Sequence, residues 1–298
     1  IFKRDGNNLN LLTTINLPSA LGEHPYLSFS SNGKYLAAGS PDKNVCYIYE
    51  RNGDSITHRL SLQYSDMNIK HASFNSDEDR LGIIAQYNDT NYFHLYKIKE
   101  NGTFELLQEF TQNGVEFEKI NFSNDGRYLA IATSSEYDAI VLEISESGLS
   151  PIFIPFTDGS YETKFCYKNG YLLMRGQNSF KLYRKLNNID FKLIYSKIYP
   201  YSVNSIDISK DNKLIYIGLE NQVNSFEVIR KNNDNLRSYN YFSLTGSIKK
   251  IILVDDGNYL INLEQTNQNY NLVLGSISYL GDILRDIKIR RIERGNYL

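Results

Sequence analysis

The sequence predicts an all-β fold of repeated four-stranded antiparallel units, and three observations carry that expectation. One apolar–turn–apolar phrase recurs six times along 298 residues; its anchor positions lie 45, 48, 43, 43 and 45 residues apart; and every copy is followed by further strand and turn signals. A period in the forties with four short strands per copy is that of propeller blades, each too small to bury its own faces without neighbours.

The elements of a unit follow in order. The anchors are Phe29, Phe74, Phe122, Phe165, Ile208 and Leu253. Each ends an alternating first strand, such as Tyr26-Leu27-Ser28-Phe29, and meets a corner of the Asn-Gly or Asp-Gly kind, where left-handed backbone costs little. The phrase reads Ser30-Ser31-Asn32-Gly33-Lys34-Tyr35-Leu36 in one copy and Ser123-Asn124-Asp125-Gly126-Arg127-Tyr128-Leu129 in another. A mostly apolar second strand follows, Tyr35-Leu36-Ala37-Ala38-Gly39 or Tyr128-Leu129-Ala130-Ile131-Ala132. Continuous apolar runs of this length are expected to be buried on both faces. A third strand such as Val45-Cys46-Tyr47-Ile48-Tyr49 comes next, then a second turn (Asn52-Gly53, Asn101-Gly102, Ser147-Gly148) and an alternating outer strand such as residues 104–110.

The two ends predict a further unit. Ile1-Phe2-Lys3-Arg4-Asp5-Gly6 matches Ile48-Tyr49-Glu50-Arg51-Asn52-Gly53, so the chain opens on a third strand, with residues 9–17 as the fourth. Gly295-Asn296-Tyr297-Leu298 repeats Gly257-Asn258-Tyr259-Leu260, which makes Arg291 a seventh anchor, 38 residues after Leu253. Strands one and two from the C-terminal end would join strands three and four from the N-terminal end in one closing blade, removing exposed sheet edges. Seven blades are expected, six being the alternative count. Residues 1–298 read as one propeller domain, and the start at Ile1 suggests a processed chain or a piece of a longer one.

Composition narrows the function classes. A formal net charge of −2 disfavours nucleic acid as a partner, since phosphate binding wants a basic surface. Lys288, Arg290, Arg291 and Arg294 form a small basic patch that reads as a solvated strand face. No run approaches the roughly 20 apolar residues of a membrane span, and no signal peptide opens the chain, so membrane insertion is not expected and the cytoplasm is favoured. The only cysteines, Cys46 and Cys166, sit in different units among apolar strand residues and read as small buried hydrophobes. No zinc spacing, His-Glu-x-x-His, phosphate-cradling glycine loop or Gly-x-Ser-x-Gly elbow occurs, and the acidic turn 76–79 lacks the ligand series of a calcium loop. Neither a cofactor nor a metal is expected.

The phrase Phe-Ser-x-Asp-Gly-Arg-Tyr-Leu-Ala around Phe122 resembles WD40-type propellers, although Trp is absent and with it the Trp-Asp dipeptide. That resemblance implies a rigid protein-interaction platform without catalysis. A second resemblance is to lactonase-like seven-bladed propellers of the phosphogluconolactonase and muconate-cycloisomerase type. It is carried by His24-Pro25, by Lys70-His71-Ala72-Ser73-Phe74 and by the hairpin 96–102 followed by Leu106-Leu107. Lys70 stands where that family has arginine, and Gly39-Ser40 and Gln86-Tyr87 where it has Asn-Glu; the resemblance carries over only His71 as a catalytic candidate.

Of the four histidines, His24 and His71 precede or open first strands and would share one rim of a central channel, where imidazoles suit acid–base work or capping of loop backbone. His58 and His94 read as exposed strand side chains. Loops joining a fourth strand to the next first strand carry His24, Asn68, Glu116, Tyr161, Asn204 and Ser247, with Tyr64, Tyr199 and Tyr201 nearby. Aromatic and amide groups on rigid loops are recognition material. The leading expectation is a non-catalytic binding or scaffolding propeller that docks a protein or peptide on this rim. A lactonase-like hydrolase acting through His71, and a structural module of a larger assembly such as a virion or organelle complex, are the alternatives.

Overall fold

The computed structural model describes residues 1–5, 8–15, 26–39, 44–134, 137–146, 148–155, 158–166, 170–187, 190–209, 211–220, 226–242, 247–254, 259–266, 269–280 and 283–291. Among them every regular element is a strand. A short pair, β1 (Phe2–Asp5) and β2 (Asn8–Leu11), is followed by four-stranded antiparallel sheets in which each strand pairs with the next. The first sheet is β3 (Tyr26–Phe29), β4 (Tyr35–Gly39), β5 (Val45–Asn52) and β6 (Ser55–Gln63). The second is β7 (Asn68–Phe74), β8 (Arg80–Tyr87), β9 (Thr90–Ile98) and β10 (Phe104–Asn113), and the third β11 (Phe117–Phe122), β12 (Tyr128–Thr133), β13 (Tyr137–Ser145) and β14 (Gly148–Pro155). The fourth is β15 (Glu162–Phe165), β16 (Tyr171–Arg175), β17 (Ser179–Lys185) and β18 (Phe191–Ile198), and the fifth β19 (Val203–Ile208), β20 (Leu214–Leu219), β21 (Phe226–Asn232) and β22 (Asn235–Phe242). The sixth is β23 (Ser247–Val254), β24 (Tyr259–Thr266), β25 (Asn269–Leu280) and β26 (Ile283–Arg291). The chain comprises two compact units, residues 1–3 with 10–165 and residues 4–9 with 166–298.

The repeated phrase works as a hydrogen-bonded corner. The residue after four of the six anchors accepts the N–H five positions on: Ser30 Oγ from Tyr35 (2.9 Å), Asn75 Oδ1 from Arg80 (2.9 Å), Ser123 Oγ from Tyr128 (2.9 Å) and Ser209 Oγ from Leu214 (3.0 Å). Asp125 and Asp211 then take both that serine hydroxyl and a later N–H, which closes an Asx turn. The corner needs left-handed backbone at the fourth position after the anchor. Gly33 (φ 71°) and Gly126 (φ 66°) supply it, while Glu78 (φ 60°) and Asn212 (φ 59°) adopt it without being glycine. At Glu78 the carboxylate compensates by taking the Asn32 N–H and the Ser31 hydroxyl of the neighbouring corner. The corners of the first three sheets are also laced together: Ser31 Oγ donates to Ser76 O (2.7 Å) and Ser76 Oγ to Asn124 O (2.6 Å).

Second strands are buried on both faces, as their apolar runs predict: every residue of β4, β12 and β20 is buried. In the first unit one core lies between the first and second sheets, built on Ile48, Ile69, Leu81 and Ile83. Another lies between the second and third, built on Phe93, Phe117, Leu129 and Ile140. In the second unit Phe180, Leu182, Ile215 and Ile217 form the equivalent layer. Cys46 and Cys166 are buried and not in a disulfide, and burial pushes the Cys46 thiol up to about 12.

The fourth strands are edges, and five of them carry a bulge, the pairing skipping Arg59, Leu107, Ile194, Tyr239 and Arg285. A bulge twists an edge out of register with any strand that might add to it.

One expectation is corrected. Ile283–Arg291 pairs along β25 as the fourth strand of the sixth sheet, so Arg291 anchors no further unit. The local phrase around Arg291 imitates an anchor, but a hairpin between β25 and β26 satisfies nearby backbone groups at far lower loop-closure cost than a remote partner would. Residues 292–298 lie outside the described residues, as does the closing half-blade expected there.

Candidate functional site

In the first unit the first strands β3, β7, β11 and β15 lie side by side, and β7 brings the histidine of interest to that row. The pairing of β7 with β8 skips Lys70, and the bulge sets His71 against the next strand. His71 Nδ1 faces the Ile120 N–H at 3.5 Å, and its ring lies 5.9 Å from that of Tyr26. The second unit repeats the device: β19 skips Asn204, and Ser205 Oγ accepts the Ile251 N–H at 3.0 Å. His71 and Ser205 both stand three residues before their anchors, and Ile120 and Ile251 two before theirs. The place is therefore one where a first-strand side chain accepts a backbone N–H of the next sheet's first strand.

Around His71 the rim is braced by charge. Lys70 Nζ meets Glu116 Oε1 at 2.8 Å, and Ser134 Oγ donates to the other carboxylate oxygen at 3.3 Å. The Lys70 contact holds the Glu116 carboxyl below its ordinary value. Asn68 is exposed at the start of β7, Glu116 is exposed before β11, and Tyr161 is half-buried before β15. In the second unit Tyr201 is 44% exposed between β18 and β19, and Asn204 Nδ2 donates to Ile248 O at 2.8 Å. His24 lies outside the described residues, and of Ser247 only the backbone is described.

Three expectations are overturned by burial. Tyr64 and Tyr199 are not rim side chains: each follows a fourth strand and inserts inward. The Tyr64 hydroxyl pairs with that of Tyr96 (2.9 Å), and Tyr199 donates to Glu227 Oε2 (2.6 Å). Burial raises both phenols well above the ordinary tyrosine value. The sequence held a signal for this, since the two tyrosines stand ten and nine residues before Phe74 and Ile208, a repeat position and not a scatter of surface aromatics. His94 is also buried; it lies beside Tyr64 (5.2 Å) and stacks on Tyr92 (6.0 Å), with Nε2 2.7 Å from Glu109 Oε2. His58 is exposed, as expected.

His94 gives the fold a pH dependence of definite sign. Desolvation pulls its folded value below the ordinary histidine value, the Glu109 carboxylate opposing. Above the unfolded value of about 6.5 both states hold His94 neutral and its packing contributes in full. As pH falls through the window below that value, the unfolded chain binds the proton first and stability is lost. Thermal melts taken at about pH 7.5 and about pH 5.5 should show a larger drop for the native chain than for His94→Phe. Equal drops would remove His94 as the cause.

Comparison with solved structures identifies the architecture. The periplasmic gluconolactonase PpgL of Pseudomonas aeruginosa superposes with a TM-score of 0.77 at 12% identity, over 98% of this chain and 94% of that one. A protein from Lactobacillus plantarum gives 0.72 at 14% identity, over 93% and 90%. The β-propeller domain of Cps50 (Swd1) from Myceliophteria thermophila gives 0.68 at 13% identity, over 92% and 88%. No protein-family model matches the sequence, and no curated protein matches it. At these identities the likeness is one of fold, and the chain has the β-propeller fold shared by lactonase-like and WD40-like proteins.

Proposed function

We propose that the protein is a non-catalytic binding or scaffolding propeller that docks a protein or peptide on the loops leading into its first strands. The observation that carries this reading is the way those loops are held. Tyr201 is exposed while its neighbours are fixed: Tyr199 is buried against Glu227, the Tyr199 N–H donates to Asn178 O (2.8 Å) and the Val203 N–H to Gln177 O (2.7 Å). Glu116 is tied in the same way by Lys70 and Ser134. Side chains presented on loops already ordered lose little entropy on binding, which favours recognition. A native pull-down compared with Tyr201→Ala, Asn68→Ala and Glu116→Ala tests the reading. The specific partner should drop at least about tenfold, the cost of one good contact, with the melting temperature unchanged. Capture that is indifferent to all three ends it.

The pair β1 and β2 supports a seventh blade in this proposal. It repeats the third and fourth strands of the other units, and Ile1 and Ile15 beside it pack on Leu36, Val45 and Tyr47 of the first sheet as a neighbouring blade would.

A lactonase-like reading has one observation in its favour, the superposition on PpgL over nearly the whole of both chains. It would use His71. Hydrolysis of aldonolactones or muconolactone by the native chain, lost in His71→Ala, would establish it; absence of turnover leaves the binding reading.

A further inference from the structure

The outer strands of the sheets differ in how their free edges are kept from pairing. Five are bulged, and each of those also carries charged residues, such as Arg59 in β6, Glu105 and Glu109 in β10, and Lys192 and Lys197 in β18. Among the described outer strands β14 is the exception. It pairs with β13 from Gly148 to Pro155 with none of its own residues skipped, the irregularity at Asp138 lying in β13. Its sequence, Gly-Leu-Ser-Pro-Ile-Phe-Ile-Pro, contains no charge, and Phe153 stands 41% exposed on it. A flat, uncharged, apolar edge of this kind is a template for another strand.

What β14 has instead is proline. Of the six prolines in the chain, the two that fall within described strands are Pro151 and Pro155, both in β14. Hydrogen bonding shows which way they face. The Ile144 N–H donates to Arg127 O at 2.7 Å, on the β12 side, so Ile144, Leu142 and Ile140 turn their backbone groups toward β12. Their partners Leu149, Pro151 and Phe153 form the non-hydrogen-bonded pairs of β13 with β14, and their backbone groups point outward. Alternation puts Pro155 in the same row. Half of the N–H groups that this row would offer are therefore missing, while all of its carbonyls remain. A strand laid along the edge would leave its own carbonyls opposite Pro151 and Pro155 without donors.

We propose that Pro151 and Pro155 close the outer edge of the third sheet to strand addition, and that the surface they guard fits β14 of a second copy. The strand is complementary to itself. With two copies antiparallel about Ile152, Pro151 of one faces Phe153 of the other, and Leu149 faces Pro155. Every residue of the outward row then has a partner in that row, and no charge opposes the approach. Pairing through this one strand closes as a two-fold dimer and does not propagate. The surface lies apart from the loops leading into the first strands, so its failure leaves the rim reading untouched.

The test compares the full native chain with Pro151→Val/Pro155→Val by sedimentation over a range of concentrations. The variant should shift with concentration to about twice the mass of the native chain. Amide exchange at Phe153 should slow at least about tenfold in the associated variant, the equivalent of one hydrogen bond. Adding Phe153→Lys should abolish the association, since lysine on an edge opposes pairing. A melt confirms folding. Should the double variant lose its fold, Pro151→Val by itself carries the same test, because Pro151 is exposed and its nitrogen faces away from β13. A folded variant that does not associate, association that leaves Phe153 exchange unchanged, growth beyond a dimer, or a native chain already paired through β14 would each overturn the proposal.

Discussion

Gly82→Val is expected to cost more than about 3 kcal/mol, beyond the usual penalty for overpacking, and to lower the melting temperature on the order of 10 °C or abolish folding. Gly82 sits in β8 where two sheets of the first unit meet. A Cβ there would lie 2.8 Å from Phe93 Cε2, 3.0 Å from Ile120 Cδ1 and 3.2 Å from Leu129 Cδ1. None of these can retreat easily, since Phe93 and Leu129 are fully buried and belong to the core between the second and third sheets. Valine adds two further methyl groups to that wall. Gly218 is the counterpart in the second unit, facing Ile248 and Ile251. Gly53→Ala provides the contrast. Nothing stands within 4 Å of its Cβ position, and the only penalty is the left-handed φ of 63°, about 1 kcal/mol. Denaturant melts of the two variants separate the mechanisms. A Gly82→Val protein as stable as Gly53→Ala would mean that the sheets do not approach each other as described.

Lys197→Met should destabilise the second unit by about 3–5 kcal/mol, the range for breaking a buried ion pair by removing one partner. The Glu227 side chain is wholly buried in β21, and Lys197 reaches it from β18 at 2.7 Å. Lys197 also meets Tyr241 OH at 2.8 Å and lies over the rings of Tyr199 and Tyr241. Without the ammonium, the carboxylate keeps only the Tyr199 hydroxyl and cannot regain water. Lys197→Met/Glu227→Met removes the stranded charge as well and should recover most of the loss. Chemical denaturation of the single and double variants decides the matter: a double variant no better than the single would place the cost in packing and not in charge.

The repeat was readable because its physics is local. Ser30, Asn75, Ser123 and Ser209 close their corners with groups five residues away, so any window of the chain contains the whole device. The burial of β4, β12 and β20 was likewise written in uninterrupted apolar runs. The site was less legible. Tyr64 and Tyr199 read as surface residues because a tyrosine suits either environment, and its depth depends on whether a hydroxyl partner waits inside. For His94 the deciding neighbours lie 30 and 15 residues away: Tyr64 meets it through the packing of neighbouring sheets, and Glu109 through the register of the β9–β10 pair.

The sequence by itself determined the all-β class, the four-strand unit, its corners and the apolar second strands, since these rest on periodicity and turn chemistry within a few residues. Only the tertiary structure decided that Ile283–Arg291 completes the sixth sheet, that two rim tyrosines are internal, and that His71 faces a backbone N–H of the neighbouring first strand. The reason is physical: these outcomes depend on which surfaces of separate sheets press together, and side chains of residues far apart in the chain acquire their environment only then.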